Sequence, residues 1–167
     1  MTKQDLYGEL CKVLDYDIIP ITEDNFTDIH EVFDTNPNYF MAAGGKIADG
    51  DTILRCIKSS PPDYDAGKKL FAGLWCDKQP IAVLDLFPNL PGEGELWLGL
   101  LLVNGVMHGQ KIGTKVTRSV ITAADACGFK PIRLGVIQNN INAAIFWQKM
   151  GFTQERIADD IHVFIRK

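Results

Sequence analysis

The spacing of apolar positions changes several times along the chain, and each change predicts an element. Leu6, Leu10, Val13 and Leu14 recur at helical spacing and predict a leading helix over 3–15. Residues 16–21 alternate and are β-branched, as a strand does. Thr22 or Asn25 is placed to cap a helix running through Val32 and Phe33, which Asn36-Pro37-Asn38 then breaks. Two further helical pieces fall at 39–43 and 51–57, separated by Gly44-Gly45, and Ser59-Ser60-Pro61-Pro62-Asp63 reads as a loop. Residues 69–76 and 80–87 predict two strands joined by a hairpin at Asp77-Lys78-Gln79. A connection rich in Pro and Gly (88–94) leads to 96–103, an almost unbroken apolar run that fits a buried strand. Over 110–127, Ile112, Val116, Val120, Ala123 and Cys127 line one helical face, and Gly128 supplies the stop. A strand (131–137), a helix (140–150) ending at Gly151 and two short strands (152–156 and 162–165) complete the pattern.

This order predicts an α/β fold in one domain over 1–167. Its central sheet is mixed and mostly antiparallel, with helices on both faces. The three sequential strands from 69 to 103 suit a meander. The strand–helix–strand unit from 96–103 to 131–137 is the one parallel crossover. The turn at 104–113 therefore leaves the carboxyl end of a central strand, where open α/β sheets bind ligands.

Composition narrows the classes. A net charge of −4 argues against a nucleic-acid-binding surface and favours an amine or other cationic substrate over an anionic one. The four cysteines are scattered without CxxC spacing, and the three histidines (His30, His108, His162) are equally dispersed, so no metal site is expected. Reduced, partly buried thiols suit the cytoplasm. Lys3, Asp5, Glu9 and Lys12 interrupt the first segment, so it does not read as a secretory signal. The longest apolar run is too short to span a membrane.

Two segments carry candidate chemistry. After the strand at 96–103 comes His108-Gly109-Gln110-Lys111-Ile112-Gly113-Thr114 at the start of a helix. Amides there have no partner inside the helix, and the positive end of the helix dipole favours an anion. Gly109 and Gly113 allow close approach of the backbone to a diphosphate. The second segment is Asn140-Ile141-Asn142-Ala143-Ala144-Ile145-Phe146-Trp147-Gln148-Lys149-Met150-Gly151-Phe152. Its Asn140 is placed to cap a helix while its amide faces a ligand. Neither a Walker loop nor a dinucleotide fingerprint occurs.

In this order and separation, the two segments resemble the GNAT family of N-acetyltransferases over about 96–156. The resemblance implies the acyl-CoA N-acyltransferase-like fold and acetyl-CoA as co-substrate, with no metal. It implies that the amides of His108, Gly109, Gln110, Lys111, Ile112, Gly113 and Thr114 hold the diphosphate. The backbone of Leu101 and Val103 would pair with the pantetheine arm, and Asn140 would contact the pantetheine or phosphates. The acceptor would be a small-molecule amine or a protein amino group, and a homodimer is compatible because many members are dimers.

Three positions depart from the family pattern. His108 stands in place of Gln or Arg. Lys111 stands in place of a glycine, so it must fit without positive φ or distort the loop. Trp147 occupies the slot of a tyrosine that protonates the departing thiolate; an indole N–H is only a donor, so Trp147 serves as a wall or hydrogen-bond donor and leaves protonation to water or the attacking amine.

Direct transfer needs a neutral amine, and hence a proton acceptor. Glu95, Glu93 and Asp85 lie on or near strands bordering the acceptor side, and Glu95 is the first choice because related enzymes often place a base on that strand. Residues 22–68 would shape the acceptor pocket, with Tyr39, Phe40, Tyr64 and Trp75 as lining candidates. The alternative is a catalytically weak acyl-CoA-binding or sensing domain, which Trp147 and the lack of an evident base both permit.

Overall fold

Apolar side chains fall on both sides of the long central strands, so the sheet is covered twice. In the computed structural model, which describes residues 1–167, seven strands form one sheet in the order β1-β2-β3-β4-β5-β7-β6. They are β1 (Asp17–Pro20), β2 (Leu70–Cys76), β3 (Gln79–Pro88), β4 (Leu96–Val103), β5 (Ile132–Ile137), β6 (Thr153–Ala158) and β7 (Ile161–Arg166). Only β4 and β5 run parallel. The helices are α1 (Lys3–Val13), α2 (His30–Asp34), α3 (Pro37–Gly44), α4 (Gly50–Lys58), α5 (Ile112–Ala126) and α6 (Ile141–Lys149).

One face of β3 sends Ala82, Leu84 and Leu86 into a core shared with Leu6 and Leu10 of α1, Val116 and Val120 of α5, and Trp147 of α6. Val83 points the other way, toward Val32 and Phe33 of α2, Phe40 of α3 and Ile53 of α4. The mixed sheet with helices on both faces is therefore the architecture the pattern predicts.

A bulge in β4 decides where the site forms. Asp85 pairs with Leu100 and Leu86 with Leu98, which leaves Gly99 as an extra residue. The bulge reverses the alternation of β4. Leu96 and Leu98 lie in the first core, whereas Leu102, with Leu100 packed beside it, belongs to the second. Immediately beyond it β4 parts from β5, since their ladder covers only Leu96↔Ile132 to Leu98↔Leu134.

Three local expectations change. The helix expected through Val32 and Phe33 is a 3-10 turn (Phe26–Ile29) followed by the short α2. Asn25 spends its side-chain oxygen on the N–H of Thr22, 2.8 Å away, and caps no helix. The hairpin turn is two residues rather than three: Asp77 and Lys78 both have positive φ (50° and 67°), the geometry whose twist matches flanking strands, and Gln79 already belongs to β3. All four thiols are free, but Cys11 and Cys76 are exposed and only Cys127 is fully buried. Gly151 ends α6 as expected: it has φ 88°, and the N–H groups of Gly151 and Phe152 return to the carbonyls of Gln148 and Trp147, each at 3.0 Å.

Candidate active site

The turn after β4 is fastened before it reaches the helix. Asn104 is buried, and its Nδ2 donates to the Pro80 carbonyl (3.0 Å) and to Glu31 Oε1 (3.1 Å). Its Oδ1 accepts the N–H of Val106 at 3.2 Å. Thr35 Oγ1 accepts the N–H of Gly105 at 2.8 Å. These contacts fix a 3-10 turn (Gly105–Met107) against α2 and β3.

Beyond that turn, the amides of Gly109, Lys111, Ile112, Gly113 and Thr114 have no acceptor within the chain. They lead into and form the first turn of a 15-residue helix whose N-cap, Lys111, makes no side-chain capping bond. Such free donors and the helix dipole together favour an anion. The amides of His108 and Gln110 instead close local turns, to Gly105 O at 3.3 Å and Met107 O at 3.4 Å. Gly109 has φ 82°, a conformation open to glycine at little cost. Lys111 adopts φ 62° and ψ 16°, so the left-handed geometry is kept although glycine is not. The expectation that Lys111 fits without positive φ or distorts the loop is thereby corrected: the helix starts at Ile112 with that backbone intact.

The divergence of β4 from β5 opens a cleft of about 870 Å³. Leu101, Leu102 and Val103 floor it, and Ile112 to Thr114, Asn140, Phe146 and Trp147 wall it. The Asn104 N–H donates to Ile81 O, so alternation along β4 turns the backbone groups of Leu101 and Val103 away from β3 and toward the cleft. The Val103 carbonyl is already engaged: Asn36 Nδ2 donates to it at 2.9 Å, and His108 Nε2 lies 3.1 Å from it. Its N–H and both groups of Leu101 remain available to an added strand.

A second cleft of about 460 Å³ lies beside the first, and Tyr39 lines both. Gly99 and Leu100 line the second cleft while Leu101 lines the first, so the two meet next to the β4 bulge. Asp85 is the only carboxylate bordering either cleft. Its side chain is nine-tenths buried; Oδ2 lies 3.2 Å from Lys69 Nζ, and Oδ1 has no partner. The Lys69 ammonium also donates to the carbonyls of Cys56 and Ser59, and it sits over the rings of Phe71 and Phe87. Burial pushes the Asp85 carboxyl up to about 6, against the opposing pull of Lys69.

Comparison with known proteins decides the family. The Acetyltransferase (GNAT) family model matches residues 22–152. The chain belongs to the GNAT family. Solved structures agree on its fold. An acetyltransferase from Thermus thermophilus superposes with TM-score 0.78 at 23% identity, over 92% of this chain and 97% of that one. PaiA N-acetyltransferase from Thermoplasma acidophilum, solved with coenzyme A, gives TM-score 0.66 at 18% identity, over 92% and 99%. A GNAT acetyltransferase from Staphylococcus aureus Mu50 gives TM-score 0.66 at 19% identity, over 90% and 98%. Among curated proteins no match to the sequence was found.

For a GNAT member, the residues read from sequence divide clearly. Leu101, Val103, His108, Gly109, Lys111, Ile112, Gly113, Thr114, Asn140 and Trp147 all border the first cleft, whereas Gln110 does not. Asn140 accepts the N–H of Ala143 through Oδ1 at 3.1 Å, which leaves its amide NH₂ for a ligand. Trp147 is buried, edge-on to Phe146 and Phe152, and forms a wall. Glu95 is not brought to either cleft; it stands just before β4 and is ion-paired with Arg133 beside it on β5. Tyr39 and Phe40 line the second cleft. Tyr64 instead donates its hydroxyl to Pro88 O at 2.9 Å, and the Trp75 ring covers Gly73. Asn36 was legible only as part of a helix breaker, because its partner Val103 lies 67 residues away. No group of three or more His, Cys, Asp or Glu side chains is placed to hold a metal, and no helix is long and apolar enough to cross a membrane.

Proposed function

We propose that residues 1–167 work as one N-acetyltransferase domain that moves an acetyl group from acetyl-CoA directly to a primary amine. The acceptor is a small-molecule amine or a protein amino group, and the free thiols suit a reducing compartment such as the cytoplasm. The observation that carries this reading is the set of five unpartnered amides from Gly109 to Thr114, at the mouth of a cleft floored by a splayed strand.

The residues present fit the co-substrate. The amides of Gly109, Lys111, Ile112, Gly113 and Thr114 bind a diphosphate, and the Lys111 ammonium adds charge beside it. Leu101 and the Val103 N–H pair with a pantetheine arm as an added strand would. Bound acetyl-CoA supplies an activated thioester. The backbone of β4 at the bulge would hold that thioester where the two clefts meet, with the second cleft left to take the amine. Neither cleft pairs a histidine with a Ser or Cys nucleophile, which favours direct attack over a covalent acyl-enzyme.

One pair of measurements tests the reading. Acetyl-CoA at about 100 times its dissociation constant adds about 2.7 kcal/mol of stability if it binds only the folded chain. Thiol release is then followed over a panel of amines. Protection with turnover supports the enzyme, and absence of protection overturns it. Trp147, in the tyrosine slot, favours a second reading as a CoA-binding or sensing domain; protection without thiol release from any amine supports that one.

A further inference from the structure

We infer that Asp85 is the catalytic base of the acceptor site: its Oδ1 receives the amine's ammonium group and takes its proton before attack. The inference rests on the acetyl-transfer reading and deepens it. Four observations carry it. Asp85 is the only carboxylate in either cleft. It pairs across the ladder with Leu100, next to the bulge at Gly99, where the second cleft meets the first. Lys69 holds one carboxylate oxygen at 3.2 Å and thereby fixes the orientation of the other. That other oxygen is buried without a donor, an arrangement rare in folded proteins outside functional sites, and an incoming ammonium supplies the missing hydrogen bond.

The proton balance closes. The ammonium R–NH₃⁺ gives one proton to the Asp85 carboxylate and becomes R–NH₂. The nitrogen lone pair forms the C–N bond, the C–S bond breaks, and the second nitrogen proton passes to the departing thiolate, directly or through water. Asp85 returns its proton to solvent, so the net products are the amide, the free thiol and H⁺. A carboxyl near 6 is also a better match for an amine near ~10 than an ordinary carboxylate near ~4.

Other ionisable groups around Asp85 do not imitate it. Lys69 contacts it from the residue before β2, and Cys56 (α4) and Tyr64 (the loop before β2) feel its charge. Burial raises both the Cys56 thiol and the Tyr64 phenol, the latter to about 12. Lys46 and Arg55 line the same cleft. His108 lies in the first cleft, bonded to the Val103 carbonyl, and is the one histidine lining either cleft.

The test compares wild type, Asp85→Asn and His108→Gln with acetyl-CoA and an amine that supports turnover. Wild-type kcat/KM rises with pH through an acidic limb near 6. Asp85→Asn lowers kcat about 100-fold or more, abolishes that limb, and keeps its CoA dissociation constant within about twofold, as expected of a group outside the CoA cleft. His108→Gln retains the limb. An Asp85→Asn enzyme with kcat within about threefold of wild type, or with the limb intact, overturns the assignment. So does loss of CoA binding, which would make Asp85 a folding residue. Each of those results leaves the acetyl-transfer reading standing, whereas a wild type that turns over no amine removes both.

Discussion

The buried pair at Asp85 makes a stability prediction that needs no substrate. The ordinary carboxyl value of 3.8 is raised to about 6 in the folded chain, first by burial and despite Lys69. The folded state therefore holds its proton more tightly than the unfolded one. That stabilisation is fully present below about pH 4 and is lost as pH rises through about 6. At about 1.4 kcal/mol per pKa unit, the full swing is about 3 kcal/mol. Asp85→Asn removes it. Urea unfolding of both proteins between about pH 4 and pH 7.5 reads it as a difference: wild type loses about 2–3 kcal/mol relative to the variant over that range. Asp5, Asp49 and Glu155 have carboxyls held low by hydrogen bonds or charge, and they act in the opposite direction. They are common to both proteins and cancel in the comparison. A difference that stays flat to within about 0.5 kcal/mol, or that grows in favour of wild type as pH rises, would refute the burial argument.

Three further substitutions probe the frame of the site. Lys111→Gly relieves a left-handed backbone and stabilises the chain by about 0.5–1 kcal/mol, while loss of the ammonium weakens CoA binding several-fold; calorimetry at two salt concentrations finds the loss larger at low salt. Asn104→Ala strips Pro80 O and the Val106 N–H of their partner, costs about 2–3 kcal/mol in urea unfolding, and lowers CoA affinity by unfastening the turn. Phe129→Ala empties a fully buried ring site between α5 and β5 and costs about 3–5 kcal/mol, with the residues lining the first cleft themselves untouched.

The β4–α5–β5–α6 unit was readable in the sequence because its signals are local. The apolar run at 96–103, the 3.6-residue stripe from Ile112 to Cys127 and the stop glycines each act within a few residues. Local signals failed where long-range contacts decide. Asn104 reads as a polar residue after a strand, yet its partners Glu31 and Pro80 lie 73 and 24 residues away. Lys111 looked misplaced for a glycine position; the loop instead holds it in the left-handed region. Glu95 ranked above Asp85 because the family often places a base on that strand. Pairing of Trp97 with Arg133 brings a guanidinium beside Glu95, whereas the β2–β3 hairpin carries Lys69 to Asp85 across 16 residues and leaves one of its buried oxygens without a donor, in a residue that lines the second cleft.

Convergence of the main-chain donors between Gly109 and Thr114 on a diphosphate can be seen or excluded in a crystal structure grown with excess acetyl-CoA. Phosphate oxygens are expected within about 3 Å of those amides, with a pantetheine arm running alongside Leu101. Coenzyme bound elsewhere, with the hollow vacant or filled by the chain's own side chains, would contradict it.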